Sequence, residues 1–555
     1  MKMEPILAPG AARHNGQFGR EERGVCLALA AIIVGQIFLV FAKGFNWDEF
    51  LHFGQIYDLR EGRLFWALQT FHARVFSWVP DLTPDIIAQM RITRICMLGF
   101  ELVAIGSIAV IARHLTDLRT ALLAALVYAA SGAVFVHGFS FRADPIITAL
   151  LMASLAILVT RSLSVKTLIA AGVLIGLAGT FSIKSILYLP CFAGAALYRL
   201  SKEGIFDWRG MLRLLVVPII AVCEMAILLA WHQSGTMESA TIASGTSSRA
   251  SSFLGSGFFL NRHYVLQNLL FAPVLSASVV TALVLLRRHN RPELYLYLGL
   301  VLPVLSLVFY RNTYPYFFVF LFAPLAVFAG PGLRAIRFRY GWKKVALVAA
   351  IAPAVMLALQ PYWLVQNQRS QIDEIHRLFP TPVQYLSYSN YVPDYPRVVP
   401  NLISGIGLAK YRTLSIPPIA AGVNAGEVAF VLADSPILLS ALRGEYLANT
   451  LHDDDFAAIS KNYIHYAGRI WLSGKEVCPA DGLRQINIVR SGPYTVDGGT
   501  IFLDGRQVGT RTTLRLQAGS YTVQNKGQSC VRLWNLPKVP FVPADFSSGR
   551  TRAGF

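Results

Sequence analysis

Charged residues are scarce in this chain. Asp, Glu, Lys and Arg make up 15% of its 555 residues, too few to cover an ordinary soluble domain, where about a quarter is usual. Nucleotide signatures are missing too: no Walker-type phosphate loop is present, and no Rossmann glycine fingerprint opens a helix. No Cys/His cluster has the spacing of metal ligands. Cysteine itself is limited to six residues, and Cys26, Cys96, Cys191 and Cys223 lie in apolar stretches, where the thiol acts as a small hydrophobe. Only Cys478 and Cys530 stand elsewhere, so a disulfide between them is expected in an oxidising compartment.

What is present is apolar. Hydrophobic residues reach 54% with a mean hydropathy of +0.49, and runs of about 18 or more residues with almost no charge recur along the first two thirds. These runs predict a polytopic α-helical membrane protein with roughly eleven spans, near 24–42, 92–112, 120–138, 143–160, 167–182, 184–199, 212–231, 264–286, 293–310, 314–331 and 344–362. Residues beyond about 362 read as soluble. The first run follows Glu21-Glu22-Arg23, is too long for a signal peptide and ends in Phe41-Ala42-Lys43-Gly44, so it is expected to remain as an anchor.

Lys and Arg set the orientation. With the N-terminus inside, roughly twenty basic residues fall on inner segments, among them Arg199, Lys202, Arg287, Arg334, Arg337 and Lys343, and about half as many on outer loops. An odd number of spans then puts the C-terminal part outside. The expected division is a cytoplasmic tail (1–23), a transmembrane catalytic domain (24–362), an outer mixed α/β domain (363–484) and an outer β-rich domain (485–555). The net charge of +19 does not point to nucleic acid, because the basic residues are spread among short loops beside spans.

Three outer segments carry more than a connection needs. Residues 43–91 hold amphipathic stretches at Phe50–Tyr57 and Leu64–Leu68, expected as interfacial helices with aromatics toward lipid. Phe139–Pro145 reads as a tight turn with Arg142 and Asp144 at the membrane surface and Pro145 suited to starting a helix. Residues 232–263 include a Ser/Gly/Thr-rich stretch expected to be mobile, either a lid or a spacer. In the C-terminal part, Gly426–Asp434 reads as a buried strand, and residues 485–535 as short strands with an Asp504-Gly505 hairpin turn, a small β-sandwich loosely resembling PEGA-type surface domains.

The chemistry-bearing candidates begin with Asp48-Glu49, a few residues past the first apolar run. Two carboxylates at the lip of a bilayer are costly to keep without a use. Helix capping, by Asp48 or by Asn46, is the competing explanation. Lys184 interrupts the apolar stretch Gly179–Leu187, where a lysine must reach the surface or meet an anion.

A carboxylate pair after the first span, a long first outer loop, an Arg-x-Asp turn before the fourth span and an outer C-terminal domain resemble the GT-C glycosyltransferases over about residues 20–362. The likeness is nearest to the family 39-type branch of protein O-mannosyltransferases and lipid A aminoarabinose transferases. The resemblance implies a polyprenyl-phosphate-linked sugar donor, an inverting transfer of a hexosyl or pentosyl group, and a glycan, lipid or protein hydroxyl as acceptor. It also implies a bacterial inner membrane with the C-terminal domain periplasmic. Such transfer needs a carboxylate base for the acceptor and cations for the phosphate leaving group, with no general acid. The resemblance assigns the base to Asp48, an assisting or metal-holding role to Glu49, and an outer-loop acidic position to Asp144, with an Arg142–Asp144 ion pair as the structural alternative. Arg142, Lys184 and Arg311 are expected at the donor phosphate, joined by Arg262 if the mobile loop folds inward. The cofactor is left open, a divalent cation included; His263 departs from the family's metal-binding neighbourhood. A lipid-linked saccharide flippase and a non-catalytic partner of a polysaccharide enzyme are the competing functions.

Overall fold

The computed structural model describes residues 19–205, 208–237, 261–399, 408 and 411–549. Most of the loop expected as a lid or a spacer, at 238–260, lies outside the described residues.

Six helices among the described residues are long and apolar enough to cross a membrane: Arg20–Ala42, Ile86–Leu115, Ala143–Thr160, Gly210–Gln233, Arg291–Phe309 and Trp342–Leu378. Two bent pairs, Arg262–Leu270 with Pro273–Leu285 and Phe317–Phe328 with Gly330–Tyr340, raise the number to eight. The protein is an integral membrane protein; of the roughly eleven hydropathy runs, those at 120–138, 167–182 and 184–199 form helices shorter than 18 residues, and those at 264–286 and 314–331 form the bent pairs. The differences have local causes. The run at 120–138 divides into helices Leu118–Ala129 and Gly132–His137 around Ser131. The run at 184–199 starts as a 3₁₀ turn, Ile183–Tyr188, before Pro190 opens helix Leu189–Glu203. The run at 264–286 turns through 94° ahead of Pro273, which cannot continue the hydrogen-bond ladder of the preceding turn.

Small residues let the spans approach closely. A Cβ on Gly194 would lie 2.8 Å from the Cα of Gly299, so the helices carrying them touch backbone to backbone. At the end of the bundle away from Asp48, charged side chains tie the spans together. Arg337 donates to Asp117 at 2.6 Å, and Arg119 to Glu22 at 2.6 Å.

Helix Trp363–Leu378 leads from the last span into the C-terminal part. There one seven-stranded sheet runs Gln384–Leu386, Val428–Leu432, Ile470–Val477, Val531–Trp534, Gly492–Asp497, Thr513–Leu516, with Tyr463–Ala467 also on Ile470–Val477. A four-stranded sheet, Leu483–Ile488, Gly519–Gln524, Ile501–Leu503 and Arg506–Val508, completes a sandwich filled by Ile486, Val496, Ile501, Val523 and Leu533. Asp504 and Gly505 take left-handed φ of 46° and 79°, the mirror-image turn that a two-residue hairpin favours. Cys478 and Cys530 are disulfide-bonded. The sheet is continuous across the boundary expected at 484/485, because Ile470–Val477 pairs with Val428–Leu432 and with Val531–Trp534.

The segment after the first span differs from expectation. Trp47–Arg60 is a helix, but Phe50, Phe53 and Ile56 are buried in protein rather than turned to lipid. Leu64–Leu68 is not helical: Gly62, at a φ of 68°, reverses the chain, and the Leu64 carbonyl accepts the Met237 amide at 2.8 Å.

Candidate active site

The site is assembled from three chain reversals at one end of the bundle. Asp48 stands in the first turn of Trp47–Arg60, Arg142 and Asp144 at the start of Ala143–Thr160, and Lys184 in the 3₁₀ turn after Val165–Phe181. Asn46 starts the first of these helices by accepting the Asp48 amide at 2.9 Å, while the Glu49 carboxylate returns to the Asn46 amide at 2.9 Å. This capping box uses Asn46 and Glu49 and leaves the Asp48 side chain free for another task.

Asp48 spends that freedom on Arg142, with which it forms a buried ion pair. The Arg142 Nε is 3.7 Å from Asp144, and Asp144 accepts Lys184 Nζ at 2.6 Å. A chain of alternating charge, Asp48–Arg142–Asp144–Lys184, therefore lies at the mouth of the bundle. The Tyr316 ring covers it, its centroid 3.3 Å from the Arg142 guanidinium carbon and 5.7 Å from Lys184 Nζ. Beside the chain is a cavity of about 340 Å³, into which Arg142, Asp144, Lys184 and Tyr316 face, with His52 and Asn312 on its walls. His52 is one helical turn from Asp48, hence on the same face.

Burial pushes the Asp48 carboxyl above the ordinary carboxylate range, against the pull of Arg142. His52 is driven down to about 3 by burial and then by Arg142, so its ring is a neutral hydrogen-bonding group at physiological pH.

Glu49 looks the other way. Its oxygens receive Arg94 Nε at 2.8 Å and Nη2 at 2.7 Å, and the Phe141 amide at 3.2 Å. Arg94 is wholly buried, donates also to the carbonyls of Lys43 and Gly44, and lies 3.8 Å from the Phe45 ring centroid. Burial works to raise the Glu49 carboxyl, but Arg94, Lys43 and the Asn46 amide together bring it down to about 2. The arrangement fixes the loop after the first span to the Ile86–Leu115 span and to the Phe139–Pro145 turn.

Arg262 and Arg311 do not line the cavity. Arg262 opens helix Arg262–Leu270 and is exposed. Arg311 is held through its backbone carbonyl by Asn261 at 2.9 Å, and its neighbours Tyr310 and Asn312 are the residues that reach the cavity. No three His, Cys, Asp or Glu side chains among the described residues converge as a metal site. Asp48 and Asp144 are both engaged by cations, so a divalent ion would have to displace Arg142 or Lys184 to use them.

The C-terminal part closes over the same helix. Phe50 stacks on Tyr391 with centroids 4.7 Å apart, Gly54 packs directly on the Asn390 side chain, and Asp58 accepts from Arg397 at 3.1 Å. Asp434 organises the loop that supplies these residues, receiving the amides of Tyr388 and Ser389 at 2.8 Å each.

Arg94, His52 and Tyr316 are additions to the site read from sequence. Arg94 carried the same signal as Lys184, a cation inside an apolar run. His52 carried only its four-residue spacing from Asp48, and Tyr316 lay among several tyrosines without distinction.

No protein-family model matches the sequence, and no curated protein matches it by sequence. Solved structures do match. ArnT from Cupriavidus metallidurans bound to undecaprenyl phosphate aligns over 76% of this chain and 94% of its own, at 12% identity and a TM-score of 0.56. Its apo form aligns over 82% and 98%, at 13% identity and a TM-score of 0.55. The apo oligosaccharyltransferase of Archaeoglobus fulgidus aligns over 94% and 98%, at 11% identity and a TM-score of 0.50. At these identities the likeness is one of fold, and the fold is GT-C.

Proposed function

We propose that this GT-C chain is an inverting glycosyltransferase that moves a sugar from a polyprenyl phosphate to an acceptor hydroxyl on the outer face of the membrane. The observation that carries the reading is the Asp48–Arg142–Asp144–Lys184 chain beside a cavity at the ends of the spans. The undecaprenyl phosphate bound by the similarly folded ArnT supports a donor of that kind.

The chemistry follows from the pairing. The acceptor oxygen attacks the anomeric carbon as Asp48 takes its proton, and the anomeric carbon–oxygen bond breaks with its electron pair passing to the phosphate. A protonated Asp48 no longer holds Arg142 by charge. The guanidinium is thereby released toward the leaving phosphate at the moment negative charge grows there, beside Lys184. Asp144 keeps both cations in place between turnovers, and His52, neutral on the cavity wall, orients a sugar hydroxyl. Glu49 acts through Arg94 by holding the loop that presents Asp48.

Orientation enters the proposal through the Lys and Arg distribution, which favours an inside N-terminus and an outside C-terminal domain. Purified protein incubated with a panel of polyprenyl phosphate sugars tests the reading: release of polyprenyl phosphate that depends on Asp48 supports it. Protein-mediated movement of the intact sugar-lipid between leaflets without bond cleavage would instead make the chain a flippase.

A further inference from the structure

A second cavity, which shares no lining residue with this site, lies in the C-terminal part. It is an open cleft of about 1010 Å³ between helix Asp453–Asn462, the strand pair Tyr463–Ala467 and Ile470–Val477, and the edge strand Leu483–Ile488. That volume is at the upper end of the range for organic ligands. Four cationic side chains line it, Lys461, Lys475, Arg484 and Arg532, against the two carboxylates Asp454 and Glu476.

The two arginines have counterions: Arg532 donates to Glu476 at 2.8 Å, and Arg484 pairs with Asp481 at 3.2 Å. The lysines do not. Lys475 is half-buried, yet its ammonium is held only by neutral oxygens, the Lys461 carbonyl and Asn462 Oδ1, each at 2.7 Å. Burial, followed by repulsion from Arg484 and Lys461, lowers its pKa to about 8. No carboxylate among the described residues pairs with Lys461. A half-buried ammonium without a counterion, facing an open cleft, is a costly arrangement that an anion entering the cleft relieves. Trp471 and His465 add ring surface on one wall, and Gln485 and Asn487 add exposed amide donors and acceptors on the other. Rings, amides and unneutralised cations together suit a saccharide that carries negative charge.

We infer that this cleft binds an anionic saccharide segment, with Lys475 and Lys461 at its charged group and Trp471 beneath a sugar ring. The inference rests on the transferase reading only in identifying that saccharide as part of the acceptor.

Calorimetry on the full-length protein in detergent, without any donor, tests it with hexagalacturonate as the acidic probe and maltohexaose as the neutral one. Hexagalacturonate is expected to bind at least tenfold more tightly than maltohexaose. Lys475→Met should remove that advantage and Lys475→Arg should restore most of it. Lys461→Gln, at an exposed position, should weaken the acidic probe several-fold and serves if Lys475→Met does not fold. Lys538→Met, on an exposed lysine outside the cleft, should change nothing. Equal affinity for the two probes, or an equal loss with Lys538→Met, would overturn the inference, the latter by showing only general attraction to a chain of net charge +19. Because no donor is present, failure here leaves transfer from the carrier lipid standing, and failure of transfer leaves this binding standing.

Discussion

Asp48 and Glu49 are consecutive in the chain and have separate partners, Arg142 for the first and Arg94 for the second. Successive helical residues point about 100° apart, so one turn of helix serves both Arg142, which lines the cavity, and the buried Arg94 of the core.

The two carboxylates should therefore fail differently. Asp48→Asn keeps shape and most hydrogen bonding, and is expected to lower transfer by about two to four orders of magnitude with little change in melting temperature. Glu49→Gln leaves Arg94 buried without its counterion and should cost about 3 to 5 kcal/mol of stability. Turnover and thermal unfolding measured on both variants check the division. Normal turnover in Asp48→Asn would pass the base to another group.

Lys184→Met should weaken binding of the carrier phosphate by about 1.5 to 3 kcal/mol, because the phosphate is charged in both donor and product. Arg311→Gln, away from the cavity, should change it by less than about 0.5 kcal/mol. Titration of each variant with polyprenyl phosphate separates them. The reverse order of effects would place the phosphate at Arg311.

Stability should fall on the acid side through two histidines of the segment after the first span, His52 on the cavity wall and the buried His72. His52 is held at about 3, by burial and then by Arg142, and His72 well below its ordinary value, by burial and then by His52. The unfolded chain protonates both near the ordinary value of about 6.5. Their contribution is full above that pH and is lost as pH falls toward the native values, at up to about 1.4 kcal/mol per pH unit for each ring. Melting temperatures compared at pH 7.5 and pH 5 should show the loss, and His52→Gln should make the curve flatter.

Replacing both Cys478 and Cys530 with Ser opens a covalent loop closed across a separation of 52 residues, a change of roughly 4 kcal/mol in the chain-entropy view. The C-terminal part should melt earlier while the apolar helices keep their helical signal. Circular dichroism during a thermal scan, with and without reductant, reads this directly.

Hydropathy located nearly every helix of the membrane part, because burial in lipid or in protein calls for the same apolar residues. For that reason it could not separate full spans from the broken helices at Ser131 and Pro273. The Asp504-Gly505 hairpin was legible because its turn needs left-handed backbone. Continuity of the C-terminal sheet was not, since strand partners far apart in sequence leave no local mark. A deletion of 485–555 thus removes Val531–Trp534, a partner of Ile470–Val477, along with the sandwich. In the site, charges out of place in apolar surroundings pointed to Asp48 and Lys184. Their pairing through Arg142 and Asp144 depends on three turns meeting in space, which spacing along the chain does not reveal.

Gly54 has no room for a side chain: a Cβ there would lie 1.5 Å from Asn390 Nδ2. With Phe50 against Tyr391 and Asp58 against Arg397, that contact makes the inner surface of the C-terminal part a fitted counterpart of the helix bearing Asp48. The two segments must accordingly diverge in step through evolution. Exchange of the C-terminal part between similarly folded chains should succeed when residues 385–397 travel with Trp47–Arg60, and should leave Asp48 misplaced when they do not.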